Sequence, residues 1–444
     1  MLQALSTAEL QPTVAAVADA LRELSERNAA KRVVFLCDFP LWKVGQLSGA
    51  YLQQSGFSVS WALLSQDELP DLVDAVICDM LFAPELDASL AQKRQDWIAA
   101  VAGSGCPVLS AVIPAGVDPD TGRASDPAVR SEITIAPGAY LRGLFFHDGL
   151  DRCGQIRPIG RAAAEGLCRF EDEDAKGLLP SRKRTAHKGD SGKAMLCVGS
   201  PKYVGAALLS ARACLAAGCG ILFVACPDVV REALWRLPEA IGVPVGADWN
   251  GKSFQVAIDA LSGMTALGIG CGMGDGDVSP LIEAALKTQL PLALDADGLN
   301  CLSRHPELYG LLHDKAVLTP HPGEMGRLTG LSPARVQEDP AAMAEECASR
   351  WGCTVLLKGA ATVVSDGRRT RIVAEGNAGL GKGGSGDVLT GIITGLLSQG
   401  VAPFDAACLG SYLLGASANK AFALLKERML RAANVVEALE IWND

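Results

Sequence analysis

The sequence has no CxxC pair, although it holds 14 cysteines in 444 residues. A zinc site is therefore not expected. Scattered cysteines in a chain this long read as small buried hydrophobes in a reducing compartment, not as a disulfide framework. A surplus of positive charge is missing too. Lys and Arg total 40 against 50 Asp and Glu, a formal net charge of −10, so no nucleic-acid or other polyanion partner is expected. The one basic cluster, Arg182-Lys183-Arg184, lies shortly after the acidic run Glu171-Asp172-Glu173-Asp174, and a solvated linker accounts for both. No basic stretch followed by an apolar core opens the chain, so no signal peptide is expected and the expected location is cytoplasmic. Nor does an uninterrupted apolar run of membrane-spanning length occur. Residues Ala206–Val230 contain Arg212, Gly218, Gly220 and Pro227 and read as helix, turn and buried strand, so no membrane partner is expected.

What is present is a large apolar fraction, 49%, with 20% charged residues, the composition of a well-packed globular protein of two or three domains. The first part, 1–160, alternates helical spacing (Val14–Glu26, Val44–Gln54) with short apolar runs at Arg32–Cys37, Ser58–Leu63, Ala75–Asp79 and Pro107–Ile113. That alternation predicts a small Rossmann-like α/β sandwich. Residues 161–186 are mixed, charged and without periodicity, and are expected to be a linker. The second part, 187–444, is more regular. Strands are expected at Ala194–Val198, Ile221–Cys226, Ala266–Ile269, Leu292–Asp295, Ala316–Leu318 and Val355–Leu357, several of them separated by helical segments. This is the pattern of an open, mostly parallel sheet, whose ligands bind beyond the carboxyl ends of the strands.

The most informative run is Asn377-Ala378-Gly379-Leu380-Gly381-Lys382-Gly383-Gly384-Ser385-Gly386-Asp387-Val388-Leu389, between the strand-like Thr370–Ala374 and the helix-like Val388–Leu397. Its glycines allow tight turning and close ligand approach, and main-chain N–H groups at a helix start form an anion site. Asp387 is the one carboxylate there. An anion cradle beside a lone carboxylate suits transfer of a phosphoryl group onto a hydroxyl, with the carboxylate taking the proton. A glycine-rich surface turn would share the composition. Other unusual residues follow strand ends: Gly199–Ala207, Gly270–Gly274, Thr319–Glu324 and Lys358–Thr362. Taken singly, His321 between two prolines is a rigid turn as readily as a ligand group, Lys358 reads as a solvated cap, and Asp295 and Asp297 read as helix caps.

In order, HKGDSGK, GSPKYVGAALLSARA, GCGMG, LDADGLN, LTPHPGE, LLKGAAT and GKGGSGDVL resemble the carbohydrate-kinase-like NAD(P)H-hydrate dehydratases over most of 187–444. The resemblance implies a ribokinase-like α/β fold. It also implies repair of hydrated NADH and NADPH with ADP or ATP as phosphoryl donor and Mg2+ as its companion. By the same resemblance Asp387 is the base, and Ala207, Gly272, His321 and Asp387 line the hydrate pocket. Lys358, Gly359, Ala360, Ala361, Thr362, Gly383, Gly384, Ser385 and Gly386 hold the nucleotide. No structural metal is implied, and a homo-oligomer is expected. Two departures are visible. Ser385 stands where the family often has Thr, and Tyr412-Leu413-Leu414-Gly415 replaces a Tyr-Leu-His-Gly. An ordinary ribokinase-like kinase of a vitamin precursor and a non-catalytic nucleotide sensor are the competing readings.

The first part resembles the NAD(P)H-hydrate epimerase domain often fused ahead of such dehydratases. Ala111–Gly122 matches its VDIPSGLDADTG, and Asp74–Phe82 its DVIVDALFG. Where that family has the loop GPGNNGGDG, this chain reads Asp38-Phe39-Pro40-Leu41-Trp42-Lys43-Val44-Gly45, and the family's acid becomes Val112, while Asp79 survives. The domain is expected to fold but to lack epimerase activity.

Overall fold

Short runs of Val, Ile, Leu, Ala and Cys, buried on both faces, dominate both halves of the chain, and such runs form parallel sheets covered by helices. The computed structural model describes residues 7–82, 88–137, 140–159, 167–181, 184–185, 187–425 and 427–440. The chain divides into two units, Met1–Ala164 and Glu165–Asp444.

The first unit holds a six-stranded sheet in the order Ser58–Leu63, Arg32–Cys37, Ala75–Met80, Val108–Ala111, Ile133–Pro137, Gln155–Ile159. All its pairings are parallel. The first helix spans Thr7–Arg27, longer than its periodic core predicts. The strands Ile133–Pro137 and Gln155–Ile159 were not expected.

The second unit is built on a ten-stranded sheet. Its order is Ala240–Pro244, Ile221–Cys226, Lys193–Cys197, Ala266–Ile269, Leu292–Leu294, Ala316–Leu318, Thr354–Leu357, Thr362–Ser365, Thr370–Val373, Leu167–Arg169. The first seven run parallel. The eighth and ninth are antiparallel to their predecessors, and the tenth is parallel to the ninth. The α/β class and the mostly parallel sheet are as expected. Helix Ser385–Ser398 lies directly on helix Val204–Ala216. A Cβ at Gly391 or Gly395 would meet the carbonyl oxygens of Ser210 at 2.2 Å and Cys214 at 2.6 Å, so only glycine allows this backbone contact.

The expected linker, 161–186, is corrected in part. Strand Leu167–Arg169 and helix Asp172–Leu178 belong to the second unit. The acidic run is a helix start: Glu171 and Asp174 form a reciprocal capping box, and Asp172, Glu173 and Asp174 fill the first turn. Phe170 is buried 5.8 Å from the Tyr412 ring, and Tyr412 Oη donates to Asp172 Oδ1 at 2.6 Å. Residues 161–166, Arg182 and Lys183 lie outside the described residues. All 14 cysteines are free thiols, buried except for the half-buried Cys106. Among the described residues no helix is long and apolar enough to cross a membrane.

Candidate active site

The second unit's strand ends are stitched together by backbone hydrogen bonds that bring the unusual loops into one row. Gly199 N donates to Cys271 O at 2.8 Å, Asp295 N to Ile269 O at 3.1 Å, Thr319 N to Leu294 O at 3.1 Å and Lys358 N to Pro320 O at 2.8 Å. Above this row sits the start of helix Ser385–Ser398. Gly384 precedes it with φ +99°, a left-handed conformation that glycine adopts without strain. A Cβ on Gly386 would lie 3.3 Å from Asp295 Oδ2 and 3.6 Å from Lys358 Nζ, so the bare backbone keeps the helix start open towards that pair.

Lys358 is no solvated cap. Its ammonium lies 2.7 Å from Asp295 Oδ1 and 3.6 Å from Glu324 Oε2. Burial pulls its pKa down, but Asp295 and Glu324 outweigh that and hold it above its ordinary value, so the cation persists. Asp295 is fully engaged. Its side chain caps helix Ala296–Arg304 through Ala296 N, as the sequence suggested, while Thr390 Oγ1 donates to its other oxygen at 2.8 Å. Asp297 is a brace instead of a cap: its Oδ2 accepts Gly274 N at 2.8 Å and steadies the glycine loop.

Asp387 is half-buried in the first turn of helix Ser385–Ser398. Burial first, then the Asp295 carboxylate, push it up to about 6, while a hydrogen bond from the Cys271 thiol and the charge of Lys358 oppose the rise. A carboxyl group poised near neutral beside a fixed cation and unpaired helix N–H groups can take a proton from a hydroxyl while the cation and the N–H groups stabilise an anion.

His321 caps helix Pro322–Thr329. Its Nδ1 accepts from Gly323 N at 3.0 Å and Glu324 N at 3.4 Å, and its backbone N–H donates to Glu324 Oε2 at 2.9 Å. That fixes the neutral tautomer with the proton on Nε2. Burial lowers its pKa, while Glu324 opposes that fall; the ring is half-exposed, with Nε2 3.5 Å from Glu324 Oε1. Gly272, φ +64°, packs where a Cβ would lie 2.8 Å from the Cβ atoms of both Ala206 and Tyr203. Ala207 differs from expectation: it is fully buried in the apolar cluster of Val198, Ala211 and Val230, so its side chain lines the core, not the cleft. Gly359 and Ala360 are exposed in the turn after Lys358, Ala361 is buried and Thr362 opens the next strand. Gly383 has open space around it, and Ser385 is half-buried. Lys382 is tied down, donating to the Arg428 and Leu430 carbonyls at 2.8 Å each. Leu414 is buried in the core.

Sequence reasoning did not single out Cys271, Thr390 or Glu324 for these roles. Thr390 lies one turn beyond Asp387 on the same helix face, which is the one signal that could have marked it. Beside the cleft, Ser200, Lys202, Tyr203, Trp249, Met273 and Asp275 line a cavity of about 240 Å3.

In the first unit, Asp79 is buried and accepts from Ser110 Oγ at 2.7 Å, Ala115 N at 2.9 Å and Leu81 N at 3.1 Å. Asp38, not weighed as an acid from the sequence, is a second buried carboxylate, pushed up to about 6 by burial, with one oxygen lacking a hydrogen-bond partner. A 3-10 turn, Phe39–Leu41, leads straight into helix Trp42–Gln54, and Leu41 is buried. Val112 holds φ +81°, a strained conformation for a β-branched residue.

A family model described as NAD(P)H-hydrate dehydratase matches residues 194–439, and one described as YjeF-related protein N-terminus matches 15–143. The bifunctional NAD(P)H-hydrate repair enzyme Nnr of Moorella thermoacetica is 34% identical over 348 residues, covering 74% of this chain and 65% of that protein. The alignment thus spans slightly less than two thirds of that relative's length. The Vibrio cholerae protein of the same name is 31% identical, covering 80% of this chain and 72% of its own. Among solved structures, the ADP/ATP-dependent NAD(P)H-hydrate dehydratase of Bacillus subtilis, co-crystallised with ATP and Mg2+, is 30% identical. Its TM-score is 0.54, over 62% of this chain and 96% of that one.

Proposed function

We propose, since this chain belongs to the NAD(P)H-hydrate dehydratase family and its second unit has the ribokinase-like α/β fold, that the second unit dehydrates (6S)-hydrated NADH and NADPH at the expense of ADP or ATP. The observation that carries this reading is the meeting of Asp387, Lys358 and the open start of helix Ser385–Ser398.

The hydrated ring carries a hydroxyl on the carbon next to its nitrogen, and hydroxide is a poor leaving group. Asp387 accepts the hydroxyl proton as the oxygen takes up the phosphoryl group. The N–H groups around Gly384–Gly386 and the Lys358 ammonium hold the negative charge. The ring nitrogen then expels phosphate, and loss of a proton from the neighbouring carbon restores the dihydropyridine. His321 and the Gly272 loop hold the ring, and the turn Lys358–Thr362 holds the nucleotide. For Ala207 only a backbone contact is compatible with its burial. The open backbone at Gly383 and Gly386 fits phosphate oxygens. The carboxylates nearest the pair, Asp295 and Glu324, already face Lys358, so a Mg2+ ion would be held mainly by the nucleotide's own phosphates.

In the first unit, Asp79 is occupied by three internal donors, and no glycine-rich cradle follows Cys37. We read it as inactive in epimerising the R and S hydrates. The test is one assay of hydrated NADH with ADP, then with ATP. Absorbance of the reduced ring should return as phosphate is released, and the R hydrate should convert to S no faster than in buffer. A stable phosphorylated product would instead indicate an ordinary kinase.

A further inference from the structure

Three different metal-ligating side chains converge where the glycine loop meets the far end of helix Ala296–Arg304. Asp277 lies in the segment that follows Gly270–Gly274 and leads into helix Ser279–Lys287. Cys301 lies on helix Ala296–Arg304 and His305 is its C-cap, four residues on and therefore on the same side one turn later. His305 Nε2 is 3.1 Å from Asp277 Oδ1, and Cys301 Sγ is 3.5 Å from the same oxygen. The three ligand atoms all lie within 4.8 Å of one another. On the other side of the ring, Glu307 Oε1 is 2.9 Å from His305 Nδ1.

Asp277 Oδ1 is the meeting point: it accepts from Ser279 N at 3.0 Å and from the Cys301 thiol, and His305 Nε2 faces the same oxygen. Two carboxylates flank one imidazole, and a metal ion placed between the ring, the thiol and Asp277 takes all three atoms. Asp and His joined to Cys suit a borderline ion, and a carboxylate on the distal imidazole nitrogen is the usual outer partner of a metal-bound histidine.

We propose that Asp277, Cys301 and His305 bind one divalent ion of the zinc class, oriented by Glu307 and completed by a water molecule. Ligand bonds of about 2.0–2.3 Å in a tetrahedron separate ligand atoms by roughly 3.3–3.8 Å, so the site closes with movements of about 1 Å. On binding, the Cys301 sulfur–hydrogen bond is replaced by a sulfur–metal bond and the proton leaves to solvent. Arg304, which donates to Gly276 O at 3.4 Å, opposes the ion by its charge and limits affinity. The bound ion pins the loop that carries Cys271 and Gly272 to the helix capped by Asp295.

Calorimetric titration of the full chain with Zn2+ should show one ion per chain with affinity in the micromolar range or tighter. Co2+ in its place should give sulfur-to-cobalt charge-transfer absorption. Cys301→Ser should abolish that absorption and His305→Asn should weaken Zn2+ binding at least about tenfold. Glu307→Gln, at an exposed side chain whose amide oxygen can still accept from His305, should weaken it roughly 10–100-fold and leave the metal-free melting temperature unchanged. Absence of Zn2+ binding in the unmodified chain overturns the proposal. So does charge-transfer absorption that persists in Cys301→Ser, because the ion would then sit at another cysteine.

Discussion

Replacing Asp387 by Asn should make the protein inactive and more stable at the same time. The ordinary value of such a carboxyl is 3.8, and in the folded chain burial and Asp295 push it up to about 6. At about 1.36 kcal/mol per tenfold, keeping this group ionised at neutral pH opposes folding by up to about 3 kcal/mol. The sign follows from proton counts. Between pH 4 and 6 the folded state holds the proton that the unfolded state has released, so stability falls as pH rises through that window and stays lowered above it. Asn carries no such proton. The stability difference between Asp387→Asn and the unmodified chain should therefore be small near pH 4, grow to about pH 6 and then level off. Paired denaturant titrations across that range measure it, because titrating groups remote from Asp387 cancel in the difference. Turnover should fall by about 10²–10⁴, the contribution of a positioned base. The acid limb of kcat/KM near pH 6 should vanish from whatever residual rate remains. A variant that is less stable at pH 7, or a difference that does not change with pH, would refute the electrostatic account. Near-normal turnover would remove Asp387 from the chemistry.

His321→Ala and His321→Asn should weaken hydrate binding alike and leave nucleotide affinity intact, while only the alanine variant loses about 1 kcal/mol of stability, since Asn still caps the helix. A fall in nucleotide affinity instead would assign the ring to the other ligand. A chain starting at residue 165 should fold into a soluble second unit. One starting at residue 187 lacks strand Leu167–Arg169, Phe170 and helix Asp172–Leu178, and should melt lower or aggregate. Equal melting temperatures would contradict the corrected boundary. Val112→Gly should be far milder than Val33→Gly, because relief of about 1–2 kcal/mol of left-handed strain offsets most of the lost burial. Equal losses in denaturant titration would show that the conformation is unstrained.

The buried strands were legible because each reads as an uninterrupted apolar run, as Arg32–Cys37 and Ala266–Ile269 do. Strands Thr362–Ser365 and Leu167–Arg169 were not, because short strands with polar ends are set by the partner they pair with, not by their own pattern. The linker reading failed for a related reason: charge density in Glu171–Asp174 marks a helix start as well as a solvated loop. Asp387 and the loop before it stood out through local composition alone. The Lys358–Asp295 pair joins residues 63 apart, and no spacing rule reaches that far. Ala207 shows the opposite limit, since a motif match marks a position but not which face of the helix its side chain occupies.

The tether on Lys382 bears on the order in which the molecule is made. Lys382 holds the carbonyls of Arg428 and Leu430, Leu430 packs against Gly379, and Ala432 lies beside Gly384. The shape of the glycine loop therefore depends on carbonyls 46 and 48 positions further along the chain. A nascent chain can assemble its sheets as they emerge, but the glycine loop has no partner for Lys382 until those later residues have been made. A chain stopped just before residue 428 keeps all the strands and loses the contacts that hold the glycine loop.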